Sequence, residues 1–459
     1  MMRLSMSNPC PRRRLAVLLA LLLAGGACNS ALAQDEDARI QKLEARVAQL
    51  EALVHDLLHE HRPPLDVADI EDMAAEVAEA RTAEILTAHH EEEDEFARRH
   101  SYKFGGYVKL DALYSAFGAG AVAGDSAGRD FYLPTAIPVG PGGAAGESYL
   151  DLHAQSSRLN FSSTHILDND QRLGSFVEID FMMSDTGDER VSNSFQPRLR
   201  HAFLTYEAWL FGQTWTTFQN VAALPETLDF IGPAESTIFI RQPLARYTRG
   251  PWQFALENPE TTLTPYGGGP RVVTDDSRAP DVVARYNGDG EWGGFTVAAI
   301  LRQLRYEHAA AAIDDSTSAW GISLSGVLKA GARDDLRWML SSGRGLGRYI
   351  GLNTADDAVL DVHGQLQAID STGLFGAYRH YWNDRWRSNL ALGFLWVDND
   401  ADLTGPGVTR EARSLHLNLI YSPQPQLDLG VEFIYADRAI ESGADGDLQR
   451  LQFSAKYAY

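Results

Sequence analysis

Seven arginines are the residues of this chain best suited to binding a solute. Most of them alternate with apolar neighbours, as Arg246 does between Ala245 and Tyr247. In an extended strand this alternation puts the guanidinium groups on one face. A guanidinium can hold a carboxylate or phosphate through two hydrogen bonds, and rings of arginine select anions. The predicted anion-binding residues are Arg158, Arg198, Arg200, Arg241, Arg246, Arg285 and Arg302.

An alternative role for these arginines is structural. Acidic residues such as Glu178, Asp180 and Glu257 fall on the same polar face. In that interpretation the arginines pair with these acids and only make the wall rigid. A surface of mixed sign would still bind charged solutes, so both roles can hold together.

Other kinds of chemistry find little support in the sequence. There is no HExxH sequence and no phosphate-binding P-loop, and no order of Ser, His and Asp suggests a catalytic triad. The stretch 398–402 (DNDAD) begins like a calcium loop, but it lacks the following glycine and the later glutamate. We therefore predict no enzyme activity, no metal site and no cofactor.

Charge and cysteine content exclude further classes of protein. The formal net charge of −22 makes duplex nucleic acid a poor partner. The two cysteines, Cys10 and Cys28, both lie near the N-terminus, so no disulfide or thiolate site is expected beyond it.

The first 33 residues are predicted to be a secretory signal peptide. Three arginines at 12–14 precede the apolar stretch 15–24, and Ala31-Leu32-Ala33 forms a cleavage site before Gln34. A rival interpretation ends the signal at Cys28, as in a lipoprotein, although Gly25 does not fit that motif.

Residues 34–62 are predicted to form a helical coiled coil. Ile40, Val47 and Val54 alternate with Leu43, Leu50 and Leu57 at a spacing of 3,4,3,4,3. The alternative is one amphipathic helix that packs on its own domain. Residues 63–100 are predicted to be an acidic helical linker.

From residue 101 onward the apolar period becomes two. Near the C-terminus Leu451, Phe453 and Tyr457 alternate with polar residues such as Arg450 and Gln452. A soluble sheet and a transmembrane barrel both produce this pattern. Strands of about ten residues, aromatic strand ends, and short turns alternating with long loops favour an all-β transmembrane barrel over 101–459.

The predicted number of strands follows from the rule that it must be even. Seventeen alternating segments can be found, whereas single-chain bacterial barrels have an even number. Joining 361–382 into one long strand gives sixteen antiparallel strands. The apolar segment 214–240 is predicted to fold back into the pore and narrow it, with Arg241 facing the constriction.

Several motifs together resemble the DcaP-type trimeric outer-membrane porins of Gram-negative bacteria. They are FGGYVKLDALYS (104–115), DFYLPTAIPVG (130–140), SRLNFSS (157–163), LRHAFLTYEAWLFGQTWTTF (199–218), LPETLDFIGP (224–233), RQPLARYT (241–248) and FALENPET (254–261). The resemblance implies a homotrimer of sixteen-stranded barrels, a periplasmic coiled coil, and uptake of small, mostly anionic solutes such as dicarboxylates. The chain departs from the family in a Gly-rich extension after the DFYLP motif and in ending at Tyr459 instead of phenylalanine.

The sequence therefore predicts an outer-membrane porin for passive diffusion of small anions. Its expected partners are outer-membrane lipids, lipopolysaccharide, further copies of itself and the solute. Two alternatives remain open: an envelope tether that acts through the coiled coil, and a pore of the same architecture selective for phosphate or sugars.

Overall fold

The computed structural model describes residues 41–55, 81, 99–141, 145–183 and 192–459. The signal peptide with its two cysteines, and nearly all of the predicted linker, lie outside these residues. Within the described part of the chain, no helix has the length and apolar character needed to cross a membrane.

A helix, α1, occupies 41–55. Its predicted seam residues Leu43, Val47, Leu50 and Val54 are 46–59% exposed. Helical structure is thus confirmed over these fifteen positions, whereas the coiled coil stays a prediction.

The remainder is dominated by strands. In chain order these are β1 (His100–Phe117), β2 (Ser148–His153), β3 (Arg158–Ile166), β4 (Arg172–Asp180), β5 (Arg198–Tyr206), β6 (Trp209–Trp215), β7 (Arg241–Arg249), β8 (Trp252–Glu257), β9 (Thr261–Thr264), β10 (Val272–Thr274), β11 (Asp281–Gly290), β12 (Gly293–His308), β13 (Ile313–Ala330), β14 (Asp334–Arg344), β15 (Ala358–Leu360), β16 (Leu366–Ala368), β17 (Asp370–Tyr381), β18 (Trp386–Asp398), β19 (Thr409–Gln424), β20 (Leu427–Ile440) and β21 (Asp445–Ala458). Two short helices, α2 (Ala127–Asp130) and α3 (Ala401–Thr404), and four single 3₁₀ turns lie between strands.

Sixteen strand positions close into an antiparallel barrel. The main sheet holds seventeen strands, but β2 and β3 occupy one position, because both pair with β1, at residues 111–116 and 100–107 respectively. The ring closes where β1 pairs with β21, as in Leu110 opposite Ala455. The predicted barrel of sixteen strands is confirmed.

The alternating faces of the strands are inverted relative to a soluble protein. On β20 and β21 Phe433 and Phe453 are 41% and 52% exposed, whereas Glu432 and Arg450 are fully buried. An apolar exterior around a polar interior is the arrangement that a barrel wall needs in lipid. Aromatic rings also stack around the end with the short turns, as in Trp386 on Tyr421 at 4.6 Å between centroids. Amphipathic rings of this kind sit at the membrane interface.

Residues 361–369 do not extend a barrel strand. Strands β9, β10, β15 and β16 form a separate four-stranded sheet from the two long loops 258–280 and 345–369. The predicted strand 361–382 therefore begins only at Asp370, and the first part of that segment belongs to this small sheet. Apolar and polar side chains alternate in the small sheet because one of its faces covers an apolar cluster that includes Leu263, Leu304 and Leu360.

Much of the interior of the barrel is packed with loops. One buried cluster joins inward residues of the wall, such as Ile300, Met339 and Phe375, to loop residues such as Phe218 and Tyr349. A second cluster packs residues 122–137 of the loop after β1 against β1, β20 and β21. These clusters fix the positions of the loops that shape the lumen.

Candidate pore constriction

The segment between β6 and β7, residues 216–240, folds into the lumen, as predicted. We call it the constriction loop. Asn220 begins its first 3₁₀ turn by accepting a hydrogen bond from the amide of Ala222 at 3.2 Å. At its far end the carboxylate of Asp229 accepts from the amides of Ile231 and Gly232, both at 3.0 Å. Gly232 has a φ of +86°, a conformation that glycine adopts without strain.

The constriction loop crosses to the opposite wall of the barrel. The amide of Leu228 donates to Glu432 on β20 at 2.5 Å, and Lys109 on β1 donates to the carbonyl of Leu228 at 2.6 Å. Asn418 on β19 donates to the carbonyl of Glu226 at 2.9 Å. These bonds tie the backbone of the loop to three strands far from its own in sequence.

Four of the predicted arginines lie together at the constriction loop. Three of them, Arg158, Arg198 and Arg200, surround the ring of Phe230, and Arg241 lies close by. We call these four residues the arginine cluster. The guanidinium carbons of Arg158, Arg198 and Arg200 lie 5.6, 5.9 and 5.6 Å from the centroid of this ring. Since Phe230 belongs to the constriction loop, the cluster borders the narrowed part of the lumen.

Two carboxylates of β4 neutralise part of this charge. Arg198 forms a bidentate pair with Asp180 at 3.0 and 2.9 Å. Arg200 donates to Glu178 at 2.7 Å and to Asp180 at 2.6 Å. The pairing that the structural alternative expects is therefore present for these two arginines and these two acids, and their role in binding solute stays a prediction.

The other two members of the cluster keep most of their charge unpaired. Arg158 lies 3.8 Å from Glu178, beyond hydrogen-bond distance. Arg241 lies over the rings of Trp215 and Phe239 at 4.6 and 5.4 Å, and among the described residues it forms no ion pair. Among the described residues the cluster thus has four guanidinium groups against two carboxylates, an excess of two positive charges.

Arg246 and Arg285 also point inward, but they donate hydrogen bonds to uncharged groups of the constriction loop and not to carboxylates. Arg246 donates to the hydroxyl of Thr217 at 2.8 Å, and Arg285 donates to the carbonyl of Gln219 at 2.5 Å. Glu257, the third acid considered in the sequence, accepts from Thr217 at 2.7 Å and pairs with no arginine of the described chain.

Arg302 does not line the pore, and here the prediction is wrong. Its side chain is fully buried and bonds to Asp281 at 3.0 Å and to Asp357 at 2.7 Å. It also donates to the carbonyls of Gly345 and Glu260 at 2.5 and 2.6 Å. The side chain points to the inside of the barrel, as the alternation predicts. The long loops cover that part of the wall, so Arg302 anchors the loops and does not contact solvent.

Five basic residues of the lumen were missed in the sequence, although they obey the same alternation. Lys109, for example, lies between the exposed Val108 and Leu110 on β1. Applying the alternation rule to every strand, and not only to the clearest ones, would have found them. These residues are Lys109, Arg337, Arg379, Arg387 and Lys456.

The acidic stretch 398–402 has a structural role. The side chain of Asp400 caps α3 by accepting from the amide of Asp402 at 3.1 Å, and Asn399 donates to Glu441 at 2.8 Å. Among the described residues, no group of His, Cys, Asp and Glu side chains is arranged to hold a metal ion.

A buried carboxylate of the constriction loop faces β19. Glu235 accepts from the hydroxyl of Ser414 at 2.8 Å and is fully buried. Burial raises its pKa above the ordinary value of 4.5, although Ser414 and the nearby His416 oppose the shift.

Comparison with known proteins identifies the family. The family model described as DcaP outer membrane protein matches residues 33–459. The chain belongs to the DcaP outer membrane protein family. The predicted resemblance is confirmed, and membership of this family together with the lipid-facing barrel assigns the protein to the outer membrane.

One solved structure shows the same fold, and two further structures match the chain more weakly. The outer membrane channel DcaP of Acinetobacter baumannii superimposes with a TM-score of 0.65 at 22% identity, covering 79% of this chain and 98% of that one. OmpT of Vibrio cholerae has a TM-score of 0.47 at 10% identity, with coverages of 79% and 98%. The anion-selective porin from Comamonas acidovorans has a TM-score of 0.46 at 12% identity, with coverages of 78% and 100%. Among curated proteins, none matches this chain.

Proposed function

We propose that this protein is a porin through which small anions, including dicarboxylates, diffuse passively across the outer membrane. The arginine cluster is the observation that carries the proposal. It places two unbalanced positive charges beside the constriction loop, where a passing solute comes closest to the wall.

The free donors of the cluster support the same conclusion. The Nε atom of Arg158 and the Nη1 atom of Arg241 are buried and have no hydrogen-bond acceptor among the described residues. Because no acceptor offsets them, these groups add to the positive field at the constriction, and within a narrow lumen such a field concentrates anions. The neighbouring rings of Trp215 and Phe239 hold Arg241 in place without cancelling its charge.

Reversal potentials in planar bilayers under a potassium chloride gradient test the proposal. We expect the wild-type channel to prefer chloride, and we expect Arg241→Gln to reduce that preference. Arg413→Gln is the matched control, because Arg413 is 53% exposed at a strand end and pairs with Asp437 outside the cluster. A wild-type channel that prefers potassium would contradict the proposal.

Liposome swelling separates the remaining solute classes. Dicarboxylates should enter proteoliposomes faster than neutral sugars of similar size, because only the anions gain from the excess charge. Faster entry of sugars would instead support the sugar-selective alternative, and preferential entry of phosphate would support the phosphate-selective one.

We also propose that the protein assembles as a homotrimer, with α1 in a periplasmic coiled coil. The exposed apolar positions Leu43, Val47, Leu50 and Val54 on one helix support this assembly, since such a face is normally covered by another helix.

Deleting residues 35–99 tests the proposed assembly, with the mass of the detergent-solubilised protein as the readout. Loss of the oligomer with unchanged conductance would confirm the role of the helix, and an unchanged mass would contradict it. Loss of cell-wall attachment alone would favour the envelope tether.

A further inference from the structure

Glu226, in the part of the constriction loop that reaches the far wall, is bound like a ligand by two arginines of the barrel. Arg387 donates from Nη2 to one carboxylate oxygen at 2.6 Å, and from Nε to the two oxygens at 2.9 and 3.0 Å. Arg379 donates to the second oxygen at 3.3 Å. Burial alone would raise the pKa of Glu226, but the hydrogen bonds and charges of Arg387 and Arg379 outweigh it and lower the pKa, so the group is ionised at neutral pH.

The two arginines are held in position without help from Glu226. Arg379 donates to Asp335 at 2.9 Å, whereas Arg387 donates to Ser422 at 2.6 Å and to Asp428 at 3.1 Å. A site whose donors are fixed by the wall keeps its shape when its occupant leaves. The geometry for gripping a carboxylate is therefore preformed.

The backbone near Glu226 is likewise fixed independently of its side chain. Asn418 donates to the carbonyl of Glu226 at 2.9 Å, and Arg337 donates to the carbonyl of Leu224 at 2.6 Å. The side chain of Glu226 is 27% exposed. It can thus turn away from Arg387 while the loop stays in place.

Glu226 also stands between two cavities of the lumen. One, of about 250 Å³, is shared with Lys109, Arg158 and Lys456 and so borders the arginine cluster. The other, of about 470 Å³, is shared with Arg387 and the short turns. An anion that moves between the arginine cluster and the short-turn end of the barrel passes this carboxylate.

We propose that Glu226 occupies a second anion site, formed by Arg379 and Arg387, and that a solute carboxylate exchanges with it during passage. This inference rests on the proposed anion permeation and adds a site that acts in series with the arginine cluster. The ligand class is a carboxylate, because the donors already hold a carboxylate in bidentate geometry. Since the internal group competes with the solute, it lowers the apparent affinity of the site and lets solutes leave.

Block of single-channel current by glutarate measures the exchange. Glu226→Gln keeps the shape of the side chain and removes the competing charge. If Glu226 occupies the site nine-tenths of the time, its removal lowers the half-blocking concentration of glutarate by about tenfold. Adding Arg387→Gln to Glu226→Gln should abolish this gain, because the binding site itself is then lost.

A lower half-blocking concentration in Glu226→Gln could also result from a looser constriction loop. Asp229→Asn is the control for that explanation, because it loosens the loop elsewhere. Asp229 holds the turn of the loop but lies outside the arginine pair. We expect Asp229→Asn to change total conductance without lowering the half-blocking concentration. An equal drop in both variants would overturn the exchange.

Further outcomes separate this inference from the proposed function. A wild-type channel that prefers cations overturns the anion porin itself. An anion-preferring channel in which Glu226→Gln leaves glutarate block unchanged overturns the exchange alone. If Glu226→Gln does not fold, Glu226→Asp serves instead, since the shorter carboxylate cannot keep both contacts with Arg387 and should lower the half-blocking concentration by a smaller factor.

Discussion

Replacing Arg302 by methionine is expected to release the loops at the long-loop end of the barrel without changing ion selectivity. The guanidinium of Arg302 joins Asp281, at the start of β11, to Asp357 and the carbonyl of Gly345 in the loop before β17. Methionine fills a similar volume but leaves Asp357 buried without its cation, and it leaves Asp281 with Arg348 alone, 4.0 Å away.

The size of the effect follows from the burial of all three groups. The side chains of Arg302, Asp281 and Asp357 are each 0% exposed. Removing one partner of a buried ion pair costs about 3–5 kcal/mol. Because each 1.4 kcal/mol is a factor of ten, opening of the loop 345–369 should become more frequent by about two to four orders of magnitude.

Limited proteolysis of the detergent-solubilised protein measures this opening. When loops open and close faster than the protease cuts, the cleavage rate follows the population of the open form. Arg413→Met is the control, because the exposed pair of Arg413 with Asp437 contributes only about 0–1 kcal/mol. Unchanged cleavage together with a shifted reversal potential in Arg302→Met would refute the reasoning, since it would mean that Arg302 meets the solute.

Three further substitutions test other parts of the structure. Phe433→Lys places a charge on the lipid face and should cost about 2–4 kcal/mol if it lies near the midplane, as urea titration of folding into vesicles would show. Gly293→Ala should reduce the folded yield, because Gly293 has a φ of +134° and an added Cβ would lie 2.0 Å from the carbonyl oxygen of Val327; a normal yield would contradict this. The raised pKa of Glu235 means that the native chain keeps a proton that the unfolded chain releases, so stability falls as pH rises above 4.5. Glu235→Gln should therefore be more stable than wild type at pH 7 and equal to it below pH 4.5, and a gain that persists at low pH would contradict the assignment.

The wall of the barrel could be predicted from the sequence because lipid and water impose a strict alternation on each strand. The strands around Phe433 and Phe453 followed from it. The number of strands also needed the rule that such barrels have an even number, and the inward fold of the constriction loop followed from the apolar character of its segment. The small sheet could not be predicted in this way. Residues 361–369 alternate as well, but their apolar side chains face packed loops, and alternation alone does not distinguish a lipid face from a dry interior.

The candidate site was predicted in part for the same reason. Alternation gives the side of the wall on which an arginine lies, and the face predicted for Arg158 is the one that meets the constriction loop at Phe230. Arg241 was predicted from its position next to the segment expected to fold into the pore. It does not give the height of a residue in the barrel or the loop that covers it, which is why Arg302 was misassigned. The ion pair between Glu226 and Arg387 joins residues that are 161 positions apart in the chain. A single sequence carries no signal of that pairing.

The attachments of the constriction loop also bear on how the molecule is assembled. Leu228 bonds to Glu432 across 204 positions and to Gln452 across 224. Closing so long a stretch of chain becomes favourable only after the last strands have taken their places in the wall. During biogenesis the loop therefore docks after the last strands are in place, so narrowing of the aperture is a late event of assembly.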